Sequence, residues 1–215
     1  FYGIWSMGAV ILPINSKLHT KEVGWILENA GCAYVLCEES SISEINFPGV
    51  TVVNPKWQQF DSNIHIPPVK RSSTDLAWLF YTSGTTGRPK GVIITHGMIK
   101  TMALSYFADV DQVHPSDTTL YAAPMSHGAG LYSIMHVLAG ARHAIPVSGG
   151  FDEEEIFGLA ETLQNVHMFA APTMVKRLTT FSRKNGYDGD GIRTIVYAGG
   201  PVSYTHLRAH ETTPH

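Results

Sequence analysis

The run YTSGTTGRPKG, Tyr81–Gly91, gathers hydroxyls, glycines and two cations in one short segment. Gly84 and Gly87 permit backbone shapes closed to other residues and let a ligand approach the chain closely. Thr82, Ser83, Thr85 and Thr86 supply hydroxyl donors, and Arg88 and Lys90 supply positive charge. That combination suits a polyphosphate. It is not a Walker A loop: Pro89 precedes Lys90, Gly91 follows it, and the next residues predict a strand rather than a helix. A hairpin turn built from turn-prone residues is the alternative. Three further segments carry candidate chemistry. PMSHGAG, Pro124–Gly130, presents the imidazole of His127, which can bond a substrate oxygen or simply satisfy a helix entry. Ala171, Pro172 and Thr173 follow a predicted strand, and so do Gly199, Gly200 and Pro201, a glycine pair that either meets a ligand or only turns the chain.

The elements that must position these residues alternate. TKEVGWILENAG predicts a helix with Thr20 as N-cap and Gly31 at its exit. Strands are expected in AYVLC and GVTVV. A polar, proline-bearing connection over 54–73 follows, and then strands DLAWLFYT and KGVIIT flank the glycine loop. Ile99, Met102, Ala103, Tyr106, Phe107 and Val110 form the apolar stripe of the next helix. Beyond it come strand TTLYAA, helix GLYSIMHVLAG, strand ARHAIPV, and a helix capped by Asp152. The acidic run after Asp152 reads as a first-turn cap, not a metal site. VHMFAAP is a strand, with Pro172 placed for the first turn of another helix, and IRTIVYAGG is the last strand. Alternation of this kind predicts an α/β fold, layered sheets with packed helices. Ligands in such folds sit beyond strand C-terminal ends, which the glycine loop, PMSHGAG and YAGGP all occupy.

Composition narrows the classes. Of 215 residues, 44% are hydrophobic and 15% charged, with net charge −3, so a core is affordable and no basic excess points to nucleic acid. No apolar run is long enough for a transmembrane segment. Cys32 and Cys37 fall on opposite faces of a predicted strand, roughly 16 Å apart, beyond disulfide reach. They are expected as reduced thiols in a cytoplasmic protein. Eleven histidines show no metal-binding spacing, so no metal ligand is expected.

YTSGTTGRPKGV closely resembles the phosphate-loop signature of the AMP-forming adenylate enzymes, which include acyl-CoA synthetases, luciferases and peptide-synthetase adenylation domains. LYAAPMSHGAGL, YAGGP and the stretch from Trp5 to Cys37 resemble further segments of that family, so the likeness runs from Phe1 to about Pro201. It implies part of the large N-terminal domain of such an enzyme. It also implies that Ser83, Gly84, Thr85, Thr86 and Gly87 grip the β- and γ-phosphates of ATP, with Thr82 at the entrance and Lys90 steadying the loop. Gly199, Gly200 and Pro201 would press on the adenine. His127 would serve catalysis by positioning the carboxylate substrate, and Ala171, Pro172 and Thr173 would line the cleft. Carboxylate, ATP and coenzyme A are the implied small-molecule partners. The implied Mg²⁺ would have its ligand outside this chain.

The family's later motifs are missing from these residues: the Mg²⁺ glutamate, the ribose aspartate and the C-terminal catalytic lysine. The expectation is therefore an internal fragment, residues 1–201, of a fatty or medium-chain acyl-CoA synthetase, inactive by itself. An aryl- or amino-acid-activating relative is one alternative, and an inert piece or weak nucleotide-binding module is the other. Residues 202–215 include SYTHLRAHETTPH, whose few apolar residues cannot form a core face. That tail resembles adapter read-through and is expected to be non-native, which the genomic reading frame checks.

Overall fold

The computed structural model describes residues 1–38, 47–54, 67–82 and 89–200. The chain divides into two compact units, Phe1–Met98 and Ile99–His215.

The first unit holds helices α1 (Tyr2–Ser6) and α2 (Thr20–Asn29), and strands β1 (Tyr34–Leu36), β2 (Thr51–Val53), β3 (Leu76–Thr82) and β4 (Lys90–Thr95). Its core gathers on Trp78, which is fully buried. Phe1 meets the Trp78 ring edge-on at 5.0 Å, and the Trp5 indole donates to the Ala77 carbonyl at 2.8 Å. Strands β1 and β2 pair in parallel, whereas β3 and β4 pair antiparallel, so a strand does follow the glycine loop. The N-cap of α2 is His19 rather than Thr20. His19 is extended (φ −65°, ψ 141°) and its Nδ1 accepts from the Lys21 N–H, while its own N–H donates to Glu22. Imidazole thus takes the capping role expected of the hydroxyl one residue on. Strand β1 is shorter than expected and leaves Cys32 and Cys37 just outside it, both as free thiols.

Helix α3 (His96–Asp109) carries the chain into the second unit. Val110 falls past its end and is exposed, so the stripe closes at Phe107. Then follow β5 (Thr118–Leu120), α4 (Gly128–Leu131), α5 (Ser133–Ala139), β6 (Arg142–Ala144), α6 (Glu153–Leu163), β7 (Val166–Ala170), α7 (Pro172–Asn185) and β8 (Ile192–Tyr197). The single helix expected over 130–140 is broken at Tyr132 (φ −73°, ψ −4°), where the Ser133 hydroxyl takes the Gly130 carbonyl at 2.6 Å. A side chain competing for helix carbonyls in this way ends the first segment. Gly140 closes α5 in the left-handed conformation (φ 70°), and Asp152 caps α6 by accepting from the Glu155 N–H at 2.8 Å.

The four strands form one parallel sheet in the order β6-β5-β7-β8. Alternation along each strand assigns the two faces. Leu120, Met168 and Ile195 face α6 and α7 and pack with Ile156, Phe157, Ala160 and Leu178. Thr119, Tyr121, His167, Phe169, Thr194 and Val196 point the other way, toward α3, α4 and α5. Helices therefore cover both faces of a parallel sheet, as its burial requires.

Candidate functional site

Because β5, β7 and β8 run in parallel, their C-terminal ends share one edge. The segment after β5 carries His127, the N-cap residue of α4. Its side chain is exposed, and its Nδ1 lies 3.0 Å from the Ser126 hydroxyl. Tyr121, Ala123 and Ala129 pack with Met125, Phe169 and Met174, which ties this segment to β7 and α7. A Cβ on Gly128 would stand 2.3 Å from the Phe169 ring, so only glycine lets α4 settle there. After β7, Ala171 precedes Pro172, the first residue of α7, and Thr173 is exposed beside it.

After β8 the pairing continues one step, with the Ala198 N–H on the Ala170 carbonyl at 3.2 Å. A Cβ built on Gly200 would lie 3.6 Å from the Pro172 ring. Gly199 sits at φ +85°, and among the described residues nothing lies within 4 Å of where a Cβ would be. Its conformation favours glycine. The edge thus brings together His127, Ala171, Pro172, Thr173, Gly199 and Gly200. Pro201 lies outside the described residues.

In the first unit, Thr82 and Lys90 face each other across the β3–β4 ladder at the base of the glycine loop. Tyr81 anchors this base: its hydroxyl donates to Asn29 at 2.6 Å, and its ring lies over Gly91, where a Cβ would be 3.0 Å away. Ser83, Gly84, Thr85, Thr86 and Gly87 lie outside the described residues, as does Arg88.

A buried polar cluster lies deeper along the same sheet face. Asp117 is fully buried and its Oδ2 accepts from the His114 N–H (2.8 Å), Arg193 Nη1 (3.0 Å) and His167 Nε2 (3.1 Å). Arg193 also donates to Asp111 Oδ1 at 3.1 Å, and the Thr194 hydroxyl donates to Asp111. Burial pushes the Asp111 carboxyl up, but the Thr194 hydroxyl and the Arg193 charge outweigh it and hold it below its ordinary value. Burial lowers His167 despite its two carboxylate neighbours, and drives His136 down to about 4. The Tyr106 phenol is pushed up to about 12, chiefly by burial.

His136 has a consequence for stability. Its ordinary value is 6.5, so between 6.5 and about 4 the unfolded chain binds a proton that the folded chain refuses. Its contribution is complete above pH 6.5 and is lost as pH falls toward 4. Stability is expected to drop by about 2 kcal/mol from this group between pH 7.5 and pH 5. Urea denaturation at the two pH values checks this, and equal midpoints would contradict it.

The spacing of the histidines along the chain does not by itself reveal this cluster. A signal was present. Thr119, His167 and Thr194 put polar residues at the same inward position of three neighbouring apolar strands. Among the described residues, no three His, Cys, Asp or Glu side chains are grouped to hold a metal, and no helix is long and apolar enough to cross a membrane.

Comparison with known proteins shows the family. The family described as AMP-binding enzyme matches residues 1–215. A feruloyl-CoA synthase of Amycolatopsis sp. is 26% identical over 199 residues, covering 91% of this chain and 40% of that protein. A long-chain-fatty-acid–CoA ligase of Mycobacterium tuberculosis is 29% identical over 217 residues, covering 94% and 42%. The inhibitor-bound crystal structure of the N-terminal domain of FACL13 from Mycobacterium tuberculosis superposes with TM-score 0.78 at 25% identity, covering 97% of this chain and 55% of that one. The chain thus spans about two fifths of the length of these curated relatives. With a family match along its whole length, the chain belongs to the AMP-binding enzymes.

Proposed function

We propose that the protein carrying this chain is an AMP-forming, ATP-dependent carboxylate–CoA ligase of the cytoplasm. The observation that carries this is the shared edge of β5, β7 and β8, where a positive-φ Gly199 stands on the same rim as His127. The glycine's exposed backbone suits the flat adenine, and the His127 imidazole can bond one carboxylate oxygen of the acid. Positioning is a sufficient role for His127, because a carboxylate is already ionised near neutral pH. Ala171, Pro172 and Thr173 form the wall between them. Ser83, Gly84, Thr85, Thr86 and Gly87, entered through Thr82 and steadied by Lys90, hold the β- and γ-phosphates. Pro201 is assigned to the adenine by the family likeness alone.

The acid's oxygen attacks the α-phosphorus, the bond to pyrophosphate breaks, and the acyl-adenylate forms. The coenzyme A thiol then attacks the acyl carbon, and AMP leaves with the bonding electron pair. These residues contribute by holding the two reactants in line. Mg²⁺ would neutralise phosphate charge when bound.

PMSHGAG favours a fatty or medium-chain acid. An aryl acid is the second reading, supported by the rings of Tyr121, Tyr132 and Phe169 beneath the His127 segment and by the similarity to a feruloyl-CoA synthase. Carboxylate-dependent exchange of labelled pyrophosphate into ATP tests the proposal. The full-length protein is expected to catalyse it. The 215 residues alone are expected to make no acyl-CoA, since the lysine motif lies elsewhere. Exchange that is indifferent to every carboxylate would end the ligase reading.

A further inference from the structure

The His127 imidazole is not spent on its helix. His127 is the N-cap residue of α4, yet its side chain makes no capping bond to the helix N–H groups. The backbone fixes the residue instead. Its N–H donates to the Pro124 carbonyl at 3.1 Å, and its carbonyl accepts from the Gly130 N–H at 3.0 Å.

The ring is oriented by its neighbour in the chain. Ser126 is buried, only 8% exposed, and its Oγ lies 3.0 Å from His127 Nδ1. Among the described residues, that nitrogen is the hydroxyl's one hydrogen-bond partner. A neutral imidazole carries a single proton, and the bond made at one ring nitrogen decides which nitrogen holds it. Two arrangements fit the contact. With the proton on Nδ1, the ring donates to Oγ, and the hydroxyl's own proton has no acceptor among the described residues. A buried donor left unmet is costly. With the proton on Nε2, the hydroxyl donates to Nδ1 and no donor is stranded. The second arrangement satisfies both groups. It also puts the ring's proton on the nitrogen farther from Ser126.

That tautomer is the one an acid substrate needs. An ionised carboxylate can only accept hydrogen bonds. A bare Nε2 would set lone pair against lone pair, whereas Nε2–H donates to one carboxylate oxygen.

We infer that Ser126 is a positioning residue for the acid: its hydroxyl donates to His127 Nδ1 and so keeps on Nε2 the proton that bonds the substrate carboxylate. This rests on the ligase reading and names the residue that prepares the same site.

The test has a spectroscopic and a kinetic arm, both on the full-length protein. Labelling with ¹⁵N-histidine, at a pH where the ring is neutral, reads the tautomer without any substrate; the His127 signals are those lost in His127→Gln. In the unaltered protein, Nε2 is expected to be protonated and Nδ1 bare. Ser126→Ala is expected to release the ring into a mixture of tautomers, and Ser126→Thr, which keeps the hydroxyl, to hold the original one. In carboxylate-dependent exchange of labelled pyrophosphate into ATP, Ser126→Ala is expected to raise the KM for the acid about 5- to 10-fold, with kcat and the KM for ATP within about twofold. Ser126→Thr should stay within about twofold of the unaltered protein in all three. A proton on Nδ1 in the unaltered protein overturns the inference and leaves the ligase reading standing. So does an alanine variant with an unchanged tautomer or an unchanged KM for the acid, or one that loses kcat and ATP affinity as much as acid affinity, which is the mark of structural damage. A threonine variant with the tautomer of the alanine variant overturns it as well. Exchange that is indifferent to every carboxylate ends the ligase reading, and the role of Ser126 with it.

Discussion

Asp117→Ala is expected to lower folding stability by about 3–5 kcal/mol, a large share of what a domain possesses. Asp117 stands immediately before β5, and its Oδ2 takes donors from β7 (His167) and β8 (Arg193) as well as from the His114 N–H. One buried carboxylate therefore binds the starts of three neighbouring strands. Removing it leaves the Arg193 guanidinium with only Asp111 and the Gln112 carbonyl, and leaves a buried His167 ring without its acceptor. Breaking one side of a buried ionic group costs more than never having built it. Asp117→Asn keeps the volume and one acceptor, so its cost should be smaller. Urea midpoints of the three proteins check this. A loss under about 1 kcal/mol for Asp117→Ala would mean that the cluster does not hold the sheet.

Gly191→Ala should be as damaging for a different reason, at on the order of 3 kcal/mol or more. Gly191 sits at φ +81°, and a Cβ there would lie 2.0 Å from the Ala160 carbonyl oxygen and 2.4 Å from its carbon. Both are backbone atoms of α6 and cannot swing aside. The close approach also carries a hydrogen bond, with the Val166 N–H on the Gly191 carbonyl at 2.7 Å. Gly186 provides the control. It too has a positive φ, +78°, but among the described residues nothing lies within 4 Å of where its Cβ would be, so Gly186→Ala should cost only about 1 kcal/mol. The difference between the two midpoints isolates the contact with α6. If the two substitutions cost the same, that contact is not tight in solution.

Much of the fold was legible in the residue pattern. Strand β4 has the limits expected from KGVIIT, and α6 begins after Asp152 with the carboxylate on the Glu155 N–H as its spacing implies. Pro172 opens α7 because a residue lacking an N–H suits the first turn. Where the reading missed, two local chemistries competed. His19 took the cap from Thr20, because an imidazole Nδ1 in an extended residue reaches the second amide as well as a hydroxyl does. The Ser133 hydroxyl broke one expected helix at Tyr132. Neither competition shows in apolar periodicity.

Motifs located the candidate site, since PMSHGAG, APT and YAGG can be found by residue type and by their position after strands. What they do together was not visible. Parallel register decides that the ends of β5, β7 and β8 form one rim, and it also decides that Thr119, His167 and Thr194 share a buried face.

The sequence alone determined the α/β alternation, the glycine loop between two strands and the family likeness, because these rest on spacing along the chain and on local backbone chemistry. Only the tertiary structure decided that Asp117 gathers three strands, that Gly191 must stay bare, and that two histidines 31 positions apart, His136 and His167, turn unpartnered nitrogens into one cavity. Those outcomes depend on which strands become neighbours, and burial gives such neighbours their energy.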